Sequence, residues 1–386
     1  MIRFTSGVFS YLLLLVVFAA NNFGQTTTVT KASGFVYESE KNGFKVTFPG
    51  KPREQTTERD SSFGKTPMTS VTFANMLAEY AVTIIEFPTI MDDKADLDLR
   101  FDAARDINSK KPGYSTTKDV QLNFGSYYGR DNTYESATVS LNMRIIAAGP
   151  RLYFLVIGTK GRLSTQSEKL RSANQRLIDN FYNSFQITRV ATASTEPVEL
   201  PSDFGVAISG QSFSSSFFGV SLSAPLGWNP IPQDQMEILM EMGKEEVERD
   251  KPKLAHRFTE QNSRPLAMYA NSPADETTPS AMILVFAERS QYPNFLPMAV
   301  AKTYQMTYLD KTEEVLIPAT IKKVNGIEFA WVETFDSKDK TYSRLHFANI
   351  KGIIFEVLFT YSDPDDLKKM LASLDTITYK PSPTEK

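Results

Sequence analysis

Three strand-like segments recur in the two halves of this 386-residue chain at one constant separation, which restricts the fold to a single architecture used twice. Tyr80-Ala81-Val82-Thr83-Ile84-Ile85 is matched by Ala281-Met282-Ile283-Leu284-Val285-Phe286. Gly125 with Thr133-Tyr134-Glu135 is matched by Gly326 with Thr334-Phe335-Asp336, and the apolar run starting at Leu152 by the run starting at Ile353, each pair 201 residues apart. Unrelated β-rich segments would scatter in their spacing, so one shared value points to duplication. On this reading Glu135 and Asp336 are repeat-equivalent acids.

The coarse order in each copy is strand, extended segments, helix, three strands, helix. The helix near 94–109 carries Leu97, Phe101, Ala104 and Ile107 on one stripe, and its counterpart carries Phe295, Met298, Ala299, Thr303 and Met306. A Thr165-Gln166-Ser167-Glu168 capping box opens one closing helix, and Asp363-Pro364 opens the other. The second copy carries an insertion holding Met236, Ile238, Leu239, Met242 and Val247, read as an amphipathic helix near 235–249. The expected class is α+β: two similar domains, each an antiparallel sheet flanked by helices in an α/β/α sandwich.

Ahead of the repeats, Arg3 precedes an uncharged apolar run from Val8 to Ala20, the pattern of a secretory signal peptide, with Val17-Phe18-Ala19 fitting its cleavage rule. The expected layout is therefore a signal peptide at 1–20, a polar spacer at 21–34, domain one at 35–190, a linker at 191–216, domain two at 217–380 and a tail at 381–386. The absence of cysteine removes the acceptor for a bacterial lipid anchor, so the expected location is secreted or periplasmic, with no membrane span after signal removal.

Composition narrows the chemistry. Cysteine is absent and histidine occurs at His256 and His346 alone, which excludes thiol nucleophiles, thiolate metal sites and His-rich metal sites. A formal charge of −3 gives no global field for nucleic acid. Gly64-Lys65-Thr66 lacks the upstream glycine of a phosphate loop, and Ser115-Thr116-Thr117-Lys118 opens a strand where an acylating serine needs a helix. Asp92-Asp93, Asp96, Asp98 and Asp102 fall at a helix start, where the dipole favours them as caps. No metal or cofactor is expected.

Gly43-Phe44-Lys45-Val46-Thr47-Phe48-Pro49-Gly50 and Val220-Ser221-Leu222-Ser223-Ala224-Pro225-Leu226-Gly227-Trp228 resemble the first strand of the PsbP-like superfamily, which runs into a proline. Gly326-Ile327-Glu328, the strand from Ile353 and Tyr361-Ser362-Asp363-Pro364 are similar to its later elements. The resemblance implies tandem PsbP-like domains in a bacterial secreted protein, and an accessory or binding role without a shared catalytic motif.

The function read from the chain is thus a non-enzymatic binding protein acting through protein–protein contacts with an unknown partner in the cell envelope. Its expected surface is Met236, Met240 and Met242 on the inserted helix, with Trp228 and Trp331, since methionine and aromatic side chains adapt to partner grooves. The alternatives are an envelope-polymer hydrolase using paired carboxylates such as Glu135 or Asp336, and a carrier of a small apolar ligand.

Overall fold

The computed structural model describes residues 34–61, 64–91, 93–109, 111–196, 198–250, 259, 262–271, 280–290, 292–307 and 313–380. The signal peptide, Asp92, His256 and the tail lie outside the described residues. The chain divides into two compact units, 1–194 and 195–386.

In the first unit the order is β1 (Phe35–Ser39), β2 (Phe44–Phe48), β3 (Arg53–Ser61), β4 (Gly64–Ala74), β5 (Ala78–Glu86), α1 (Lys94–Ser109), β6 (Ser115–Phe124), β7 (Tyr127–Glu135), β8 (Val139–Ala148), β9 (Arg151–Lys160), a 3-10 turn (Leu163–Thr165), α2 (Glu168–Ser184) and β10 (Gln186–Ile187). Four strands separate the two helices, one more than the periodicity suggests. They build an antiparallel sheet of order β3-β4-β5-β9-β8-β7-β6, beside a small sheet β1-β2-β10. Side chains alternate across it. Tyr80, Val82, Ile84, Tyr153, Leu155 and Ile157 pack with α2 and β2 in one core, while Leu97 and Phe101 of α1 are buried over the other face. Ser167, not Thr165, caps α2, accepting from the Leu170 amide.

The second unit runs β11 (Val206–Ser209), β12 (Ser212–Ser215), β13 (Val220–Ser223), β14 (Asn229–Pro230), α3 (Gln233–Asp250), β15 (Ser263–Ala270), β16 (Ala281–Arg289), α4 (Pro297–Thr307), β17 (Glu313–Val324), β18 (Ile327–Asp336), β19 (Thr341–Ile350), β20 (Ile353–Tyr361), α5 (Pro364–Asp375) and β21 (Thr378–Tyr379). Its large sheet, β14-β15-β16-β20-β19-β18-β17, has the same wiring as that of the first unit, and its small sheet is β11-β12-β13-β21. Part of the stretch read as a linker is structural here: β11 and β12 lie within it, and Phe204 and Phe213 are buried in the core. The inserted helix α3 stands between the first two strands of the sheet, where the first unit has only the β3–β4 hairpin.

A glycine before the small-sheet strand that pairs with the end of each unit, β2 or β13, serves the same purpose in both units. Gly43 (φ 67°) and Gly219 (φ 66°) accept from the amides of Arg189 and Lys380, and a Cβ at either would stand 2.1 or 2.2 Å from the carbonyl oxygen of that same residue. The chain that returns from the closing helix therefore rests directly on glycine backbone.

Strand registers replace the constant repeat spacing with shorter and longer values. The hairpin closed by Phe124 and Tyr127 corresponds to the one closed by Val324 and Ile327, and the Ala148–Arg151 hairpin to Ile350–Ile353. Tyr127 therefore matches Ile327, 200 residues on, and Leu155 matches Val357, 202 on. A spacing of 201 would turn these strands over, because a one-residue slip moves every side chain to the opposite face. The matched residues Tyr153, Leu155, Ile157 and Phe355, Val357, Phe359 do share the same face in their respective cores.

Candidate functional site

Register corrects the paired-acid reading first. The counterpart of Glu135 is Phe335, not Asp336. Glu135 opposes Ser140, which opposes Thr159; the same rung in the second unit is Phe335, Tyr342 and Tyr361, a row of aromatic rings with centroids 4.8 and 5.2 Å apart. Glu135 is buried and accepts from Ser164 Oγ (2.7 Å), the Ser164 amide (3.2 Å) and Ser140 Oγ (3.4 Å), tying the 3-10 turn to the sheet. Asp336, half-buried at a strand end, accepts from the Lys338 amide at 2.8 Å, as a turn residue does.

The acidic cluster before α1 also changes role. Asp93 caps the helix, accepting from the amides of Ala95 and Asp96. Asp98 and Asp102 hold the buried Arg130 of β7, with Asp119 of β6 behind it, Tyr128 donating to Asp98, and Arg105 bridging Asp102 and Asp119. The register counterparts of Arg130, Asn132 and Asp119 are Ala330, Val332 and Ala319, so this polar network belongs to the first unit alone. Gly64-Lys65-Thr66 and Ser115-Thr116-Thr117-Lys118 both lie in strands.

The opposite face of the first sheet carries a second charge pair, Asp131 with Arg144 (2.8 Å), whose guanidinium lies 4.4 Å from the Tyr182 ring. In the second unit the pair moves two rungs along, on the same face: Glu333 and Arg344 form it, Arg344 lying 4.3 Å from the Trp331 ring, and the former pair's positions hold Trp331 and His346. His346 is enclosed by Phe329, Trp331 and Phe359. Burial drives its pKa down to about 3, outweighing the Val357 carbonyl hydrogen bond. It is thus a neutral core residue.

The expected partner surface divides. Trp228 is 3% exposed in the main core, and Met236 is 1% exposed against Met268 and Leu284, so neither is available to a partner. Trp331 and Met240 are half-buried. Met242 is 61% exposed, beside Ile238 and Leu239, also exposed. The inner stripe of α3, Met236, Met240 and Val247, lies on the sheet side; residues 235, 238, 239 and 242 form a separate outward stripe at helical spacing.

A further pair of acids emerges only from the fold. α3 packs over β15 and β16 through Met236, α4 packs over β17, β18 and β19 through contacts such as Tyr304 on Phe347, and a strip of sheet over β16 and β20 remains between them. Met282, Phe286, Leu358, Glu288 and Glu356 are half-buried there. Glu356 lies on the rung between Phe286 and Phe347 and between Ile354 and Leu358 along its strand, with Glu288 its diagonal neighbour across the rung of Ile354. Burial, with a smaller contribution from Glu288, pushes Glu356 up to about 8. In the first unit the corresponding residues are Phe154 and Ile85, both buried and apolar. The sequence did carry a signal: Glu356 interrupts the otherwise apolar run Ile353-Ile354-Phe355-Glu356-Val357-Leu358-Phe359.

The class defined by this architecture is α+β, with two units whose seven-stranded sheets share one wiring. No protein-family model and no curated protein matches the chain. Among solved structures, cyanobacterial PsbP (CyanoP) from Synechocystis sp. PCC 6803 is similar at 14% identity, over 43% of this chain and 98% of that one, with a TM-score of 0.29. The type VI secretion immunity protein TplEi from Pseudomonas aeruginosa is similar at 12% identity, over 90% of this chain and 98% of that one, with a TM-score of 0.23. A protein of unknown function, PA94 from Pseudomonas aeruginosa, is 10% identical over 38% of this chain and 91% of that one, with a TM-score of 0.22. Among the described residues, no helix is long and apolar enough to cross a membrane, and no group of three or more acidic or imidazole side chains is placed to hold a metal.

Proposed function

We propose that the protein is a non-enzymatic binding module that acts outside the cytoplasm and grips a protein partner with the outward stripe of α3. One observation carries this reading: α3 already buries Met236 on the sheet, yet Ile238, Leu239 and Met242 stand exposed on a second stripe. A helix apolar on two sides is one whose second side is kept for contact. The location rests on the apolar N-terminal run.

The test places a photo-crosslinking residue at Leu239 in the full chain within envelope extract, beside a variant carrying Ile238→Ser and Met242→Ser as well. Polar substitution at exposed positions leaves stability within about 0.5 kcal/mol, so both chains fold. A single stoichiometric adduct that disappears with the two serines supports the reading. Equal adducts from both chains, or none, overturn it.

A further inference from the structure

The outward stripe of α3 belongs to the second unit, and a different apolar surface lies at one end of the first. We infer that this end of the first unit seats the protein on an anionic phospholipid bilayer without crossing it. The β4–β5 turn dips between the lipid headgroups, and a collar of basic side chains meets their phosphates.

Strand pairing brings this surface together. Ala78 at the start of β5 opposes Thr159 of β9, so the turn Asn75-Met76-Leu77 stands beside the β9–α2 connection, which begins after Lys160. Gln166 of that connection donates to the Lys160 carbonyl, and the Gly161 amide donates to the carbonyl of Thr138 in the β7–β8 turn. On the other side Phe35 opposes Phe48, and the chain leaving β2 passes Phe73 of β4 at Gly50, where an added Cβ would stand 2.6 Å from the ring. Phe35, Val36, Met76, Leu77 and Leu170 of the first turn of α2 are all exposed at this end.

The β4–β5 turn holds its side chains out. Asn75 Oδ1 accepts from the amides of Leu77 and Ala78, and the Asn75 amide donates to the Ala78 carbonyl. The backbone is thereby tied while Met76 and Leu77 stay 66% and 64% exposed. Turns ordinarily carry small polar residues, and two large apolar ones gain only where something other than water receives them. The apolar residues stand on separate loops and a helix end, which a fluid interface accommodates and a fixed groove does not.

Charge selects the lipid. Lys51, Arg53, Lys169 and Arg171 are exposed, and no carboxylate engages them among the described residues. Arg53 opposes Thr72, three residues before the turn, and Lys169 and Arg171 flank Leu170 where the helix dipole disfavours cations. Lys160 and Arg162 extend the collar, with Glu79 and Glu135 beside them, while Glu54 accepts from the Tyr37 hydroxyl and Glu168 is exposed. The second unit has the opposite sign in the corresponding segments: Asp363, Asp365 and Asp366 open α5, and the sequence joining β15 to β16 carries Asp275 and Glu276 with no large apolar residue.

The experiment uses the chain without residues 1–20, which keeps every described residue. Because cysteine is absent, one introduced thiol takes a single environment-sensitive fluorophore. Met76→Cys places it on the β4–β5 turn, and Ser126→Cys on the exposed β6–β7 turn at the other end of the sheet. Each is mixed with phosphatidylcholine vesicles with and without phosphatidylglycerol, and sedimentation reads the bound fraction. Binding is expected to require phosphatidylglycerol, to weaken with salt and to blue-shift the fluorophore at position 76 alone. Lys169→Gln with Arg171→Gln is expected to lose about fivefold in affinity per cation, and Met76→Ser with Leu77→Ser about tenfold. Circular dichroism checks that these variants fold. No binding to the anionic vesicles, equal binding with and without phosphatidylglycerol, affinity unchanged in either double variant, or a shift at position 126 in place of 76 overturns the inference. The α3 stripe is scored separately: Ile238→Ser with Met242→Ser is expected to bind vesicles as the parent chain does, and loss of binding there instead of at the turn overturns the inference while leaving the stripe in place.

Discussion

Glu333 faces Arg344 across one rung of the second sheet, where the first sheet sets Thr133 opposite Asn142, joined by a hydrogen bond of 3.0 Å. The side chains of the ionic pair are 9% and 11% exposed, so each neutralises a charge that water does not reach. Removing one partner strands the other, at a cost of about 3–5 kcal/mol. Glu333→Thr and Arg344→Asn are each expected to destabilise by that order, while the double variant, which installs the twin's neutral pair, loses much less than their sum. Urea unfolding of the four proteins completes the cycle, and strict additivity would refute the coupling.

Stability should depend on pH with opposite contributions from two titratable groups of the second unit. Glu356 titrates near 8 when folded and near the ordinary carboxylate value when unfolded, so the fold holds the extra proton. Its contribution is complete below about 4.5 and is lost as pH rises through about 8. His346 titrates near 3 when folded, so its contribution is complete above the ordinary imidazole value and is lost as pH falls toward 3. Thermal unfolding at pH 5, 7 and 9 should show Glu356→Gln gaining relative to wild type as pH rises. An equal shift at all three values would mean that Glu356 carries no folding-linked proton.

Gly43→Ala and Gly219→Ala are expected to be strongly destabilising, each by about 2 kcal/mol or more. The new methyl meets a backbone oxygen that cannot rotate away, and the positive φ adds its own strain. Gly125→Ala is the control: its φ is also positive, but nothing stands within 4 Å of the added carbon. If all three lose the same amount in urea, the close approach contributes nothing and conformational strain alone explains the cost.

Glu135→Gln keeps the residue's size and loses its charge, turning one acceptor oxygen into a donor facing the Ser164 hydroxyl or amide. The expected loss is about 1–3 kcal/mol. It should show locally as faster amide exchange at Leu163 and Ser164, with the amides of α2 unchanged. Uniformly faster exchange throughout the first unit would mean that the carboxylate supports the whole sheet instead of the turn.

The doubled architecture was legible because strands and helices announce themselves by local alternation, and α1 begins and ends where its apolar stripe predicts. Register was not legible to the residue. It is set by turn lengths and cross-strand contacts, and similar apolar strands align almost equally well one residue out of step. That single slip paired Glu135 with Asp336. Burial within α3 was also hidden, since its sequence shows several methionines and only the sheet below selects Met236 for the inside. Glu356 was visible as a charge in an apolar run, but its relation to Glu288 exists only across paired strands.

The link between β7 and β8 gives the comparison of the two units a rule for divergence. From Glu135 to Ser140 the chain spends four residues, and from Phe335 to Tyr342, six. An added pair returns the chain to the same side of the pleat, whereas one extra residue would have turned the following strand inside out unless a bulge absorbed it. The two halves thus differ at this turn by an even step, and the rungs it joins carry different chemistry on the same side of the pleat.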